Sequence, residues 1–192
     1  MKLYLLRHEE RALDNISFNS PLLPHGLDCA NKLKYTLENY QINLIFCSPF
    51  KRTIQTIKPY CDMKNIKLNI EHSLYEKLDN IDDIMVKQKH DLLPSSEEYY
   101  LKNLDYVSYL SLNDLKLDDD AFERSINFLQ SITSLYKDVN VNILFVTHSA
   151  IIKNMINSKN YKTLPMGGLI LYDYETQSYT PINYNEKKVR FN

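Results

Sequence analysis

A chain of 192 residues with 44% hydrophobic content is long enough for one substantial core and short for two, so a single domain spanning 1–192 is expected. The formal net charge of −1 and the lack of a lysine-arginine stripe speak against nucleic-acid binding, although a local pocket of arginines would not register in that sum. There is no apolar run of about 18 residues, no leader-like N-terminus, and no C-x-x-C spacing among Cys29, Cys47 and Cys61, so the expectation is a soluble, cytoplasmic protein with buried free thiols, no membrane partner and no zinc site.

In chain order, Leu3 to Leu6 is a short apolar run of buried-strand length, and it stops abruptly at Arg7-His8-Glu9-Glu10. Arg11 to Pro24 is rich in turn formers and reads as a loop. From Gly26 the pattern is helical, with Leu27, Ala30, Leu33 and Leu37 on one stripe. Leu44 to Cys47 is a second buried strand, followed by a helix for which Ser48 is the expected N-cap and Pro49 a first-turn residue; Arg52 then falls in the first turns. Lys67 to Ile70 predicts a third strand. His25, His72 and His90 lack partner ligands at useful spacing and read as ordinary histidines.

The segment from Asp79 to Asp120 has mixed charge and weak periodicity. It reads as a helical insertion of one or two short helices over the sheet edge, either a substrate-selecting lid or a solvated insertion without function. Asp118-Asp119-Asp120 caps a clear helix carrying Phe122, Ile126, Leu129, Ile132 and Leu135 or Tyr136. Val141 to Thr147 is the strongest strand and ends at His148, ahead of a short helix with Ile151, Ile152, Met155 and Ile156 buried. Gly167 to Tyr174 predicts the last strand, with a short hairpin and a loose tail beyond it.

Arg7-His8, Arg52 and His148 thus stand at three strand-to-helix junctions, and parallel neighbouring strands would bring them to one sheet edge. Two guanidiniums and two imidazoles in a nearly neutral protein imply a concentrated anion such as a phosphoryl group. The three glycines, Gly26, Gly167 and Gly168, form no Gly-rich phosphate loop, so side chains must bind it. Arginine also neutralises phosphoryl charge without a metal, so neither metal nor other cofactor is expected.

The chain resembles the histidine phosphatase superfamily, with its phosphoglycerate-mutase-like fold. The resemblance rests on Leu6-Arg7-His8, Pro21-Leu22-Leu23-x-x-Gly26, Ser48-Pro49-x-x-Arg52-Thr53-x-Gln55-Thr56, Leu74-x-Glu76 and Val146-Thr147-His148, in that order from about residue 3 to 155. It implies a three-layer α/β/α sandwich with a mostly parallel central sheet. By position it makes His8 the nucleophile, has Arg7, Arg52 and His148 hold the phosphoryl group, and makes Glu76 the acid for the leaving oxygen. That role calls for a proton on Glu76 and a raised pKa. There are departures: Glu9 replaces the usual glycine and is expected to point away from the phosphate, and Arg11 replaces a small hydroxyl residue and is a further candidate substrate contact. Asp14 lies nearest the position of a common asparagine.

The leading function is hydrolysis of a phosphomonoester, on a small molecule or a protein, through a phosphohistidine on His8. Phosphoglycerate-mutase-type transfer uses the same residues but is disfavoured by a short insertion. An inactive phosphate-binding module, spoiled by Glu9, is the third reading. The sequence specifies neither the substrate nor an oligomeric state.

Overall fold

The computed structural model describes residues 1–13, 19–77, 106–111, 121–157, 161 and 163–182. Its centre is a six-stranded sheet formed by β1 (Lys2–Arg7), β2 (Leu44–Cys47), β3 (Leu68–Ile70), β4 (Asn142–Thr147), β5 (Leu169–Asp173) and β6 (Ser178–Ile182), in the order β3-β2-β4-β1-β5-β6. The four strands β3, β2, β4 and β1 run parallel, while β5 and β6 add an antiparallel hairpin at one edge. The parallel strands read as unbroken apolar runs because both their faces are covered.

On one face, α1 (Pro24–Glu38) and α2 (Lys51–Lys64) bury Leu33, Leu37, Ile54 and Ile57 against Tyr4, Leu6, Ile45 and Val146. On the other, α3 (Ala121–Tyr136) and α4 (Ser149–Ile156) pack Phe128, Leu129, Ile152 and Met155 on Leu3, Leu5, Phe46 and Phe145. The result is the expected three-layer sandwich. No helix of the described residues is long and apolar enough to cross a membrane.

Three local expectations need correction. Helix α1 starts at Pro24, and its buried stripe uses Gly26 and Cys29 with Ala30, Leu33 and Leu37, leaving Leu27 exposed. Gly26 is required there because a Cβ would run into the Glu10 carbonyl. Helix α3 is rotated relative to the predicted stripe: Phe122 and Leu135 are exposed, and the buried face runs Ala121, Arg124, Ser125, Phe128, Leu129, Ile132, Thr133. A buried arginine hides that phase from a hydrophobicity count. Helix α2 is capped at Phe50, with no side-chain cap bond, so Ser48 and Pro49 precede it. Ser48 is not the N-cap because its hydroxyl is bonded to His148.

The predicted strands at 3–6, 44–47, 67–70, 141–147 and 167–174 all form; beyond the last, 178–182 is a single strand that pairs back on β5 in place of the separate short hairpin expected there. Of the predicted 79–120 insertion, only residues 106–111 are described. His90, Asp14 and the acidic run Asp118-Asp119-Asp120 lie outside the described residues.

Candidate active site

Strand register assembles the site. β1 and β4 are parallel neighbours with Arg7 opposite Thr147, so the next residues, His8 and His148, emerge side by side, their ring centroids 5.3 Å apart. β2 flanks β4 on its other side, and the chain leaving it through Ser48-Pro49-Phe50 enters α2, which presents Arg52 one residue into its first turn. The sequence-predicted His8, Arg7, Arg52, His148 and Glu76 are therefore brought to the carboxyl edge of one parallel sheet, where the fold places its ligands.

His8 is fixed by backbone on three sides. Its N–H donates to the Thr147 carbonyl (3.1 Å), its own carbonyl accepts from Gly167 N–H (2.9 Å), and the preceding Arg7 N–H donates to the Gly168 carbonyl (2.9 Å). Nδ1 lies 2.7 Å from the Glu9 carbonyl oxygen. A carbonyl only accepts, so Nδ1 carries the hydrogen and Nε2 of the neutral ring carries the lone pair. Burial, followed by the nearby His148 and Arg52, lowers the His8 pKa to about 2. The imidazole is neutral at ordinary pH, the form a nucleophile requires.

Glu9 N–H donates to Thr56 Oγ1 (2.9 Å), and Thr56 donates to the Arg52 carbonyl (2.7 Å), which ties the loop after His8 to α2. The Glu9 carboxylate is buried against Gly167, where any Cβ would collide with it; Gly167 also has a φ of +72°, a conformation that favours glycine. Glu9 is thus accommodated by the Gly167 turn.

His148 is fully buried between two partners, with Nε2 2.9 Å from Ser48 Oγ and Nδ1 2.9 Å from Glu76 Oε2. Burial lowers its pKa to about 4 against the pull of Glu76. The pair is a neutral imidazole donating Nδ1–H to a carboxylate, with Nε2 accepting from Ser48. Phe50 and this imidazole pack edge to face with ring centroids 4.7 Å apart, and the Arg52 guanidinium lies over the phenyl ring 4.3 Å from its centroid.

Arg52 is wholly buried, with NH2 3.5 Å from Glu76 Oε2. Burial lowers its pKa to about 10, which leaves it charged at neutral pH. Arg7 donates from NH1 to the Leu164 carbonyl (2.6 Å), and Leu164 N–H in turn donates to Tyr161 Oη (3.1 Å). Arg11 is half-buried and donates to the Ala12 carbonyl (2.6 Å); burial lowers its pKa while Glu76 holds it up, which puts it within electrostatic reach of that carboxylate.

Glu76, 19% exposed, departs from expectation. Burial works to raise its pKa, but the His148 hydrogen bond and the Arg52 charge outweigh burial and bring it down to about 2. The carboxyl is therefore ionised as it stands, and the expected raised pKa is not found. The ligand atoms of His8, Glu76 and His148 lie within 4.8 Å of one another, close enough to hold a metal ion. The Arg52 guanidinium, 3.5 Å from the same carboxylate, repels a cation there and favours an anion.

Sequence reasoning missed two residues that build the Glu76 side of the site. Glu71 is fully buried directly after β3, and its carboxylate accepts from Ser73 N–H (2.8 Å), Ser108 Oγ (2.9 Å), Tyr109 N–H (2.9 Å) and the Tyr106 hydroxyl. It ties residues 106–111 to the turn that leads to Glu76. Arg124 reaches that turn from α3. The available signals were a carboxylate at a strand end and an arginine in phase with a buried helical stripe.

The family model of the histidine phosphatase superfamily (branch 1) matches residues 3–192. No curated protein matches the chain. Among solved structures, it is similar to the ecdysone phosphate phosphatase from Bombix mori in complex with tungstate (16% identity, TM-score 0.65, covering 100% of this chain and 98% of that one). It is similar also to the alpha-ribazole phosphatase from Shigella flexneri (18%, TM-score 0.63, 99% and 98%) and to the phosphoserine phosphatase from Entamoeba histolytica in complex with 3-phosphoglyceric acid (17%, TM-score 0.61, 97% and 98%). At such identities the likeness is one of fold, and the family match covers nearly every residue. The chain belongs to the histidine phosphatase superfamily.

Proposed function

We propose that the protein hydrolyses phosphomonoesters through a phosphohistidine on His8. The observation that carries this reading is the Nδ1–H of His8 held on the Glu9 carbonyl, which leaves the Nε2 lone pair at a sheet edge shared with Arg52, Arg7 and His148. Nε2 attacks phosphorus, the N–P bond forms, and the P–O bond to the leaving group breaks with its electron pair on oxygen. Arg7 and Arg52 balance the phosphoryl oxygens, His148 donates to one of them, and Arg11 adds a further contact to the substrate. Glu76 gives a proton to the leaving oxygen. In the second half a water attacks phosphorus, its proton passes to Glu76, and the N–P bond breaks to return the pair to Nε2.

A carboxyl with a pKa of about 2 cannot supply that proton unaided at neutral pH. The substrate brings it: a phosphomonoester with a second pKa of about 6 enters as the monoanion. Its oxygens draw Arg52 and His148 away from Glu76, and its charge raises the carboxyl pKa, so the proton moves to Glu76 and on to the leaving oxygen. kcat/KM is expected to fall above about pH 6 for this reason.

The whole chain, 1–192, is taken as one such domain, with 79–120 and the loop from Arg11 to Pro24 selecting the leaving group, and with no metal required. A cytoplasmic setting suits the buried cysteines Cys29, Cys47 and Cys61, which lack any C-x-x-C spacing. The test is hydrolysis of an aryl phosphate by the purified chain in the presence of a chelator, with loss of activity in His8→Ala. No turnover in the wild type would return the inactive phosphate-binding module to first place, and dependence on a bisphosphorylated primer would identify a mutase.

A further inference from the structure

The turn that carries Glu76 has no strand ladder to hold it, yet four successive carbonyls in it are each bound by a side chain. Arg124 NH1 donates to Ser73 O (2.7 Å), Thr147 Oγ1 to Leu74 O (2.7 Å), and Arg124 NH2 to Tyr75 O (2.7 Å) and Glu76 O (3.3 Å). Arg124 is only 7% exposed and lies between Ala121 and Phe128 on the core face of α3. Placing a guanidinium there costs solvation that an apolar side chain would not forfeit, and its bonds to the turn's carbonyls offset part of that cost. The group thus spends a buried charge on the backbone of one short turn, whose last residue reaches His148 at 2.9 Å and Arg52 at 3.5 Å.

We propose that Arg124, assisted by Thr147, is a positioning residue that sets the reach of the Glu76 carboxyl to the leaving oxygen while taking no part in phosphate binding. The inference rests on the reading of Glu76 as the general acid. A misplacement of about 1 Å costs on the order of 10²-fold in a step that needs alignment, so the loss should be confined to substrates that need the proton.

The experiment compares wild type, Arg124→Met, Arg124→Lys, Thr147→Val and Glu76→Gln in the full chain. It measures kcat and KM on an aryl and an alkyl phosphate, and inhibition by inorganic phosphate. Arg124→Met is expected to lower kcat on the alkyl phosphate at least about tenfold more than on the aryl one, with KM and phosphate inhibition within about twofold of wild type. Arg124→Lys should recover part of the loss. Thr147→Val removes one bond from the same turn and should show a smaller loss of the same selectivity, which keeps the test decisive if Arg124→Met does not fold. Equal losses on both substrates, or weakened phosphate inhibition, would overturn the proposal. If Glu76→Gln shows the contrast and neither Arg124→Met nor Thr147→Val does, the positioning role alone is wrong. If Glu76→Gln itself shows none, the acid is misassigned and the positioning role falls with it.

Discussion

The two sides of the site are built by different means. On the side of the proposed nucleophile, Arg7 and His8 leave β1 within the hydrogen-bond ladders of β4 and β5, so their backbone is fixed by Thr147, Gly167 and Gly168 before any side chain contributes. On the acid side, Glu76 stands on a turn held by the side chains of Arg124, Thr147 and Glu71. Sheet hydrogen bonds survive most substitutions, whereas a side-chain clamp is lost with one residue. The position of His8, the proposed nucleophile, should therefore be robust to mutation elsewhere, and that of Glu76, the proposed acid, sensitive to it.

The sharpest way to separate the two sides is Glu76→Gln. It should cost about 10²–10⁴-fold on alkyl phosphates and far less on an aryl phosphate whose oxygen departs without a proton. Arg52→Lys gives the opposite pattern. It removes a planar fork from phosphate recognition, so both substrates should lose about 10²–10³-fold together, read as parallel losses in kcat/KM. If Arg52→Lys discriminated between leaving groups, or Glu76→Gln did not, the assignment of roles to the two sides would have to be redrawn.

A third expectation concerns pH. His8 and His148 have folded pKa values of about 2 and about 4 against 6.5 for a free histidine, and Glu76 about 2 against 4.5. All three are depressed, so the folded state binds fewer protons than the unfolded one. Their contribution to stability is complete above pH 6.5, declines as pH falls below 6.5 through the two histidines, is steepest between 4.5 and 4 where Glu76 joins them, and goes on declining toward pH 2 through His8 and Glu76 after His148 protonates in the folded state. Denaturant unfolding at a series of pH values should show that slope, and His8→Asn should flatten its upper part.

The smallest effect is expected at Glu71. Glu71→Gln replaces one acceptor oxygen with an amide donor that faces donors from Ser73, Ser108 and Tyr109, at a cost of about 1–3 kcal/mol in stability. Release of 106–111 should show first as faster amide exchange at Tyr109. Unchanged protection there would mean that the acid side is held without this carboxylate.

This contrast also explains what could be read from the sequence. Strands β1, β2 and β4 are continuous apolar runs because both faces are buried, and each ends at a polar residue that the register carries to the common edge; this made Arg7, His8, Arg52 and His148 legible. Glu76 was identified through the resemblance, but its charge state was not, since it depends on a 2.9 Å contact with His148 from a strand far along the chain. Ser48 was read as a cap because local pattern cannot show that a histidine 100 residues away takes its hydroxyl. Arg124 and Glu71 escaped because hydrophobic periodicity gives charged residues to solvent, and their partners are backbone groups that every residue carries or, for Glu71, hydroxyls of Tyr106 and Ser108, 35 and 37 residues away.

The central claim, attack by His8 on phosphorus, is tested most directly by rapid mixing with a phosphomonoester followed by quenching. A phosphohistidine is a phosphoramidate, so the phosphoenzyme should be stable in alkali and lost in acid, mapped to His8 and absent from His8→Ala. A phosphoenzyme that survived acid, or one that still formed in His8→Ala, would contradict it.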